Sequence, residues 1–548
     1  MKNKKIKYVL ISSAVILVSI ISSLYNNSLK SEAKETTAEV NDSENSESEF
    51  QYMNKIFNKE EVLSINIQIS EDDWNDLLEN AEDEEYHKVT IYINGEEFKD
   101  VGIRAKGNSS LSTIASDDTT DRYSFKIKTD KYVNGQNIYG LTKFVLNSNI
   151  SDATSMKEYL SYDILNSMGV KTPGYSYANI SINDEAWGLY LAVESIEEEF
   201  IERTFGDSDG NLYKVESMSM GNMRNGDHMP NDKNFDLSNG EMPENLESPS
   251  ENSTPQNMEP PNDTTFLKDG EAPKNIDIPN DSNMTNGMKI PEIGDMTKLI
   301  GNITSGGNLV YTDDNISSYS DIFDNTVFKS TTEEDYNTLI NIIKNLNDGT
   351  DLEEYIDVDE VLRYFAVNTF IVNLDSYVGQ FKHNYYIYED DGQMSILPWD
   401  YNLSFAAFNT TSAEKAVNFP IDNPVTDELE NNPLLSKLLE VSEYKEIYHE
   451  YLKEIADSYF TNTYFEETVN KLDTLIGDYI KNDPTAFYYY DEYKTAIENL
   501  VLFGNDRTTS VLAQLDGTQS STEYGTIETS VNLEAMGTQN AGKMNKFN

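Results

Sequence analysis

Asn373-Leu374-Asp375, His383-Asn384-Tyr385-Tyr386-Ile387-Tyr388 and Ile396-Leu397-Pro398-Trp399-Asp400-Tyr401-Asn402 follow one another along one short stretch of the chain. Apolar periodicity predicts a helix over Val358–Asn373, and then two strands, Asn384–Glu389 and Met394–Trp399, joined at Asp390-Asp391-Gly392. Two aspartates and an asparagine therefore frame one hairpin. Asp400 closes an apolar strand, where a carboxylate is held on a rigid element yet can face a cleft, as a metal ligand must. Phosphoryl transfer asks for little more than a metal-holding carboxylate, an amide that completes the metal shell, and a second carboxylate near the attacking hydroxyl. The plainer alternative is that Asp375 caps a turn and Asp400 starts one.

Working outward toward the N-terminus, strict alternation marks strands at Val62–Ile69 and Lys88–Ile93, the second ending in the hairpin dipeptide Asn94-Gly95. Further strands are expected at Tyr123–Lys128, Thr142–Asn147, Tyr177–Ile182 and Gly188–Val193. An amphipathic helix is expected over Ser155–Met168, stopped by Gly169. Toward the C-terminus the pattern turns helical, over Glu333–Leu346 and again between Leu429 and Leu515. The fold class that follows is α+β, an antiparallel β-rich N-terminal part followed by a mainly helical C-terminal part.

Composition narrows the chemistry. The 548 residues carry 96 acidic against 41 basic side chains, a formal net charge of -55, which repels nucleic acid and anionic membranes and favours cationic partners. Cysteine is absent, so disulfides, thiolate nucleophiles and iron–sulfur clusters are excluded, and any metal should be a hard, oxygen-liganded ion such as magnesium or manganese. Met1-Lys2-Asn3-Lys4-Lys5-Ile6-Lys7 precedes an apolar run from Tyr8 to Leu24, the pattern of an export signal or an N-terminal anchor. Residues 1–29 are assigned to that leader, which places the folded part outside the cytoplasm and limits membrane contact to the leader itself. Residues 30–55 read as a disordered linker, 218–296 as a disordered low-complexity insertion and 517–548 as a disordered tail, with folded parts at 56–217 and 297–516.

In so acidic a chain, Gly102-Ile103-Arg104-Ala105-Lys106-Gly107-Asn108-Ser109-Ser110 is conspicuous: a strand entering a basic turn rich in donors for phosphate oxygens. Lys126 and Lys128 lie opposite Phe125 and Ile127 on the next strand, and the following helix carries Glu158. A strand lysine followed by a helix glutamate is the order in which kinases assemble their phosphate-binding ion pair. The alternatives are a turn that only joins two strands and a solvated lysine face. His383 reads as structural, since a lone histidine before a strand usually is.

Taken together, Ile103–Ser110, Ser124-Phe125-Lys126, Ser155–Leu160, Gly188-Leu189-Tyr190 with Glu194, Asn211-Leu212-Tyr213-Lys214, Asn373-Leu374-Asp375 and Pro398-Trp399-Asp400-Tyr401 resemble the CotH (spore coat protein H) kinase family. The resemblance covers about Ile56 to Leu515 apart from the insertion. It implies an atypical two-lobed protein-kinase-like fold and metal-dependent transfer of the γ-phosphate of ATP to serine or threonine of secreted or coat proteins. By the same resemblance Asp400 is the metal-binding aspartate, Asp375 the second catalytic aspartate and Asn384 a further metal ligand. Arg104 and Lys126 become phosphate contacts, Glu158 their ion-pair partner, and Tyr190 to Glu194 the hinge beside adenine. The spacing from Asp375 to Asn384 departs from that of ordinary kinases, and no Gly-x-Gly-x-x-Gly, His-Arg-Asp or Asp-Phe-Gly signature is present. The acidic balance suggests basic, Ser-rich protein substrates. The competing readings are a nucleotide-binding pseudokinase or coat scaffold and, more remotely, a surface carbohydrate-binding protein.

Overall fold

Alternation builds the first half of the molecule. In β1 (Leu63–Gln68) the residues Leu63, Ile65 and Ile67 are buried, while Ser64, Asn66 and Gln68 face outward. The same pattern recurs in β2 (His87–Ile93) and through much of β3 (Glu96–Lys106) and β4 (Ser124–Lys128), whereas β5 (Lys143–Asn147) is buried on both faces, Phe144 and Leu146 on one and Val145 on the other. Each must therefore turn one face to a common interior. The computed structural model describes residues 50–216, 306–461 and 463–539. In it these strands, with β6 (Tyr175–Ile182) and β7 (Glu185–Glu194), close a seven-stranded barrel in the order β1-β2-β3-β4-β5-β7-β6. Closure comes from a parallel pairing of β1 with β6, Ile65 opposite Ile180. Sequence alternation alone indicated only an open antiparallel sheet, because no local signal marks a pairing between strands so far apart.

β8 (Asn211–Val215), β9 (Tyr385–Asp390) and β10 (Gln393–Pro398) form a second, three-stranded antiparallel sheet. Both expected hairpins are present. Asn94-Gly95 and Asp391-Gly392 each have two successive positive φ angles, 48° and 86°, then 49° and 84°, the geometry in which a two-residue loop follows the strand twist. The outer face of the barrel packs Val145, Leu191 and Val193 into a larger core with the helices Lys157–Ser167 and Val358–Phe370. The first of these helices is buried nearly all round rather than amphipathic, with Lys157 and Glu158 inside. Among the described residues no helix is long and apolar enough to cross a membrane. The leader and the insertion lie outside the described residues.

Several expectations need correction. Tyr52, inside the stretch read as a linker, is fully buried and donates to Glu194 Oε1 at 2.6 Å. Residues 517–539, read as part of a disordered tail, return across the molecule with Val531, Leu533 and Met536 buried. The hinge assignment also fails. Tyr190 points into the barrel, stacks on Phe125 at 5.9 Å, accepts from Trp187 Nε1 at 3.0 Å and donates to the Tyr123 carbonyl at 3.0 Å. Glu194 is wholly buried, clamped by Tyr52, by the Gly174 N–H at 2.7 Å and by Arg203 Nη2 at 2.6 Å. The backbone between them has β5 on one side and β6 on the other, so it offers adenine no free edge. Tyr190→Ala is expected to cost about 3–5 kcal/mol in urea unfolding by leaving a cavity in the barrel, and Tyr190→Phe about 1–3 kcal/mol. A hinge residue would instead change nucleotide affinity and leave stability nearly unaltered.

Candidate functional site

Lys106 ends β3 on the outward face of the barrel, and its Nζ donates to Asn147 Oδ1 at 2.9 Å. Asn147, the last residue of β5, passes the link on: its Nδ2 lies 3.0 and 2.9 Å from the two carboxylate oxygens of Glu158. Glu158 and Tyr162 are one turn apart on the helix Lys157–Ser167 and so share a face. Tyr162 accepts the Asp400 backbone N–H at 3.1 Å, and Glu158 takes a backbone hydrogen bond from Tyr401. Asp400 itself follows β10 with φ of 57°, a left-handed turn that aspartate tolerates better than most residues. Its carboxylate stands 3.9 Å from Lys106 Nζ, and the same ammonium lies 5.7 Å above the Trp399 ring. Barrel, helix and hairpin thus meet at one lysine, one amide and two carboxyl groups.

The charges there do not balance. Burial, then the charge of Asp400, pushes the Glu158 carboxyl up to about 8, against the opposing pull of Asn147, Lys106 and the Tyr401 N–H. Two carboxyl groups that cannot comfortably ionise together are a place where a divalent cation is welcome.

The second aspartate is fixed from three directions. Asp375 is buried beyond the end of the helix Val358–Phe370, its N–H donating to Asn373 Oδ1 at 3.3 Å. His383 Nε2 lies 2.7 Å from Asp375 Oδ1, and Asn384 Nδ2 donates to Asp375 Oδ2 at 2.9 Å and to the Asp375 carbonyl at 3.0 Å. Both of these hydrogen bonds are made by the Asn384 Nδ2, and among the described residues its Oδ1 accepts none. The Trp399 N–H donates to the Asn384 carbonyl at 3.3 Å, so the open end of the hairpin ties Asn384 to the residue preceding Asp400. Burial alone would lower the His383 imidazole, but the charge and hydrogen bond of Asp375 outweigh it, with Asp400 and Glu216 adding to the rise. His383 therefore senses both aspartates.

A second group of cations lines the same barrel face. Lys126, opposite Arg104 in the β3–β4 ladder, has no hydrogen-bond or ion-pair partner among the described residues. Burial lowers its ammonium to about 8; Glu197 opposes this, and Lys143, Arg104 and Lys214 reinforce it. Arg104 is engaged by Glu84 and lies 5.5 Å above the Tyr86 ring, and Lys143 pairs with Glu197 at 2.6 Å. The Lys126–Glu158 pair expected from the sequence is not formed; Lys106, one strand-repeat beyond Arg104, is instead the lysine linked to Glu158, through Asn147. Three residues here were not assigned to the site from the sequence: Lys106, noted there only as part of the basic turn, His383, read as structural, and Asn147. Lys106 was legible, since it shares the outward face of β3 with Arg104.

The chain matches the family described as CotH kinase protein over residues 103–271 and 297–511, well over half of its length. It belongs to the CotH kinase family. It is also 27% identical over 164 residues to the inner spore coat protein H of Bacillus subtilis (strain 168), across 28% of this chain and 42% of that relative. In this CotH family member the matched regions contain Lys106, Lys126, Asn147, Glu158, Asp375, His383, Asn384 and Asp400.

Oxygen donors suit a hard cation. Among the described residues no three histidine or acidic side chains gather to hold a metal by themselves, so Asp400 and Asn384 would need phosphate oxygens to complete a shell, as magnesium usually does. Two titrations follow. Glu158 retains in the native state a proton that the unfolded chain releases, so its contribution to stability is complete below its ordinary value of 4.5 and is lost as pH rises through about 8. Glu158→Gln should flatten the fall in urea stability over that window. Lys126, lowered in the native state, should titrate near 8 by side-chain nitrogen NMR and move upward when pyrophosphate is added.

Proposed function

We propose that this CotH-family chain is an exported protein kinase that uses ATP with magnesium or manganese, the barrel and the helical part acting as the two lobes of a kinase-like cleft. The observation that carries this reading is the convergence of Lys106, Asn147, Glu158 and Asp400 from four separate segments, beside the Asp375–His383–Asn384 cluster. Positioning and electrostatic stabilisation are most of what phosphoryl transfer requires.

In this reading Asp400, with Asn384, would hold the metal, which would supply positive charge against the phosphate oxygens. Lys106 contacts the phosphates and is oriented by Asn147 and Glu158. Lys126 supplies a second positive charge along the same face. Asp375, whose two oxygens are aimed by His383 and Asn384, orients the acceptor hydroxyl and accepts its proton as the serine oxygen bonds to the γ-phosphorus and the bond to the β-phosphate oxygen breaks. The net charge of -55 favours basic, Ser-rich protein acceptors and speeds their encounter at low salt. The name of the spore coat relative supports secreted or coat proteins as substrates and a location at the cell or spore surface.

The test is transfer from labelled ATP to a basic Ser-rich peptide. Asp400→Ala should lower kcat by at least about two orders of magnitude, and Lys106→Met should do so by about ten- to a hundredfold, with native folding shown by circular dichroism. Equal rates in wild type and Asp400→Ala would remove the kinase reading. If that equality were accompanied by undiminished partner assembly, a coat scaffold would take its place.

A further inference from the structure

The family match ends at residue 511, yet the chain continues in ordered form to 539. After the helix Tyr490–Leu515 it turns back. Ser521 Oγ donates to Asp422 Oδ2 at 2.7 Å, the Ile527 N–H donates to Asn418 Oδ1 at 2.8 Å, and Val531, Leu533 and Met536 are buried.

Residues 536–539 then touch three segments of the candidate site. The Ala153 N–H donates to the Met536 carbonyl at 3.1 Å, and the fully buried Lys157 donates through Nζ to the Gly537 carbonyl at 2.5 Å. The Gln539 N–H donates to the Ala407 carbonyl at 2.7 Å, and Gln539 Nε2 lies 3.4 Å from Ser109 Oγ. Lys157 adjoins Glu158, Ser109 belongs to the turn that follows Lys106, and Ala407 lies in the run of turns after Asp400. A buried ammonium needs acceptors. Without Gly537, Lys157 retains, among the described residues, only the Ser151 carbonyl at 3.4 Å and Asp152 at 4.0 Å. Gly537 itself has φ of 81°, and a Cβ there would come within 2.6 Å of the Ser151 carbonyl oxygen.

We propose that residues 531–539, which lie beyond the family match, are a positioning strap that holds the segments bearing Lys106, Glu158 and Asp400 in register. The strap is not itself catalytic, and its effect on transfer rests on the kinase reading above.

Three chains decide it: wild type, one ending at Ser530, and full-length Gly537→Val, which displaces the strap without removing its apolar residues. Hydrogen–deuterium exchange should rise in 103–115 and 153–160 in both altered chains while the barrel strands β1 and β2 stay protected. The kcat for transfer should fall at least tenfold. A synthetic peptide of residues 526–539 should restore both readouts in the chain ending at Ser530. Unchanged exchange in 103–115 and 153–160 in Gly537→Val would overturn the strap, as would a loss of protection spread evenly over the whole molecule. If the truncated chain fails to fold, Gly537→Val alone decides. If wild type transfers no phosphate, the kinase reading fails and the exchange measurement still judges the strap.

Discussion

Everything at the candidate site depends on a carboxyl group buried beside another. Glu158 is carried inside on a helix enclosed nearly all round, and Asp400 is delivered to it by the end of β10. Burial first, and then the charge of Asp400, which Lys106 offsets only in part, make Glu158 hold its proton above the ordinary carboxyl range. The Asn147 amide makes the arrangement directional, since it accepts from Lys106 and donates to Glu158. A neutral relay thereby stands where a direct lysine–glutamate pair was expected.

The architecture supplies the rigidity that such a site needs. Barrel closure through β1 and β6 removes the free edges of the seven strands, so Lys106 and Asn147 project from a surface that cannot fray. Arg122, which donates to both carboxylate oxygens of Asp483 at 2.9 Å, ties the barrel to the segment after the helix Tyr464–Lys481. On the other side, the three-stranded sheet fixes the separation of Asn384 and Asp400, because Tyr385 and Pro398 are paired across the hairpin. Chemistry is thus placed at the ends of strands, with loops supplying the directions.

Much of this is legible in the sequence. The alternating strands, both hairpin turns and the two aspartates around β9 and β10 are local patterns, and local patterns survive in sequence. What was missed is long-range. The parallel closure of the barrel, the inward direction of Tyr190 and the clamp on Glu194 depend on partners far away in the chain. Residues 517–539 were misread because their polar composition resembles a disordered tail, whereas three buried side chains and the carbonyls taken by Lys157 and Ala153 hold them in place. Arg104 and Lys126 are the cations that the sequence pairs with Glu158; only the register of β3, β4 and β5 shows that Lys106 is the one linked to it, through Asn147.

The most direct test is a crystal of the full chain grown with a non-hydrolysable ATP analogue and manganese, with the metal located by its anomalous scattering. The account predicts a single strong peak in contact with Asp400 and the phosphates, within reach of Asn384 Oδ1, and with Lys106 on the same phosphates. Manganese and triphosphate bound away from Asp400, or no binding at a concentration that saturates other kinases, would contradict it.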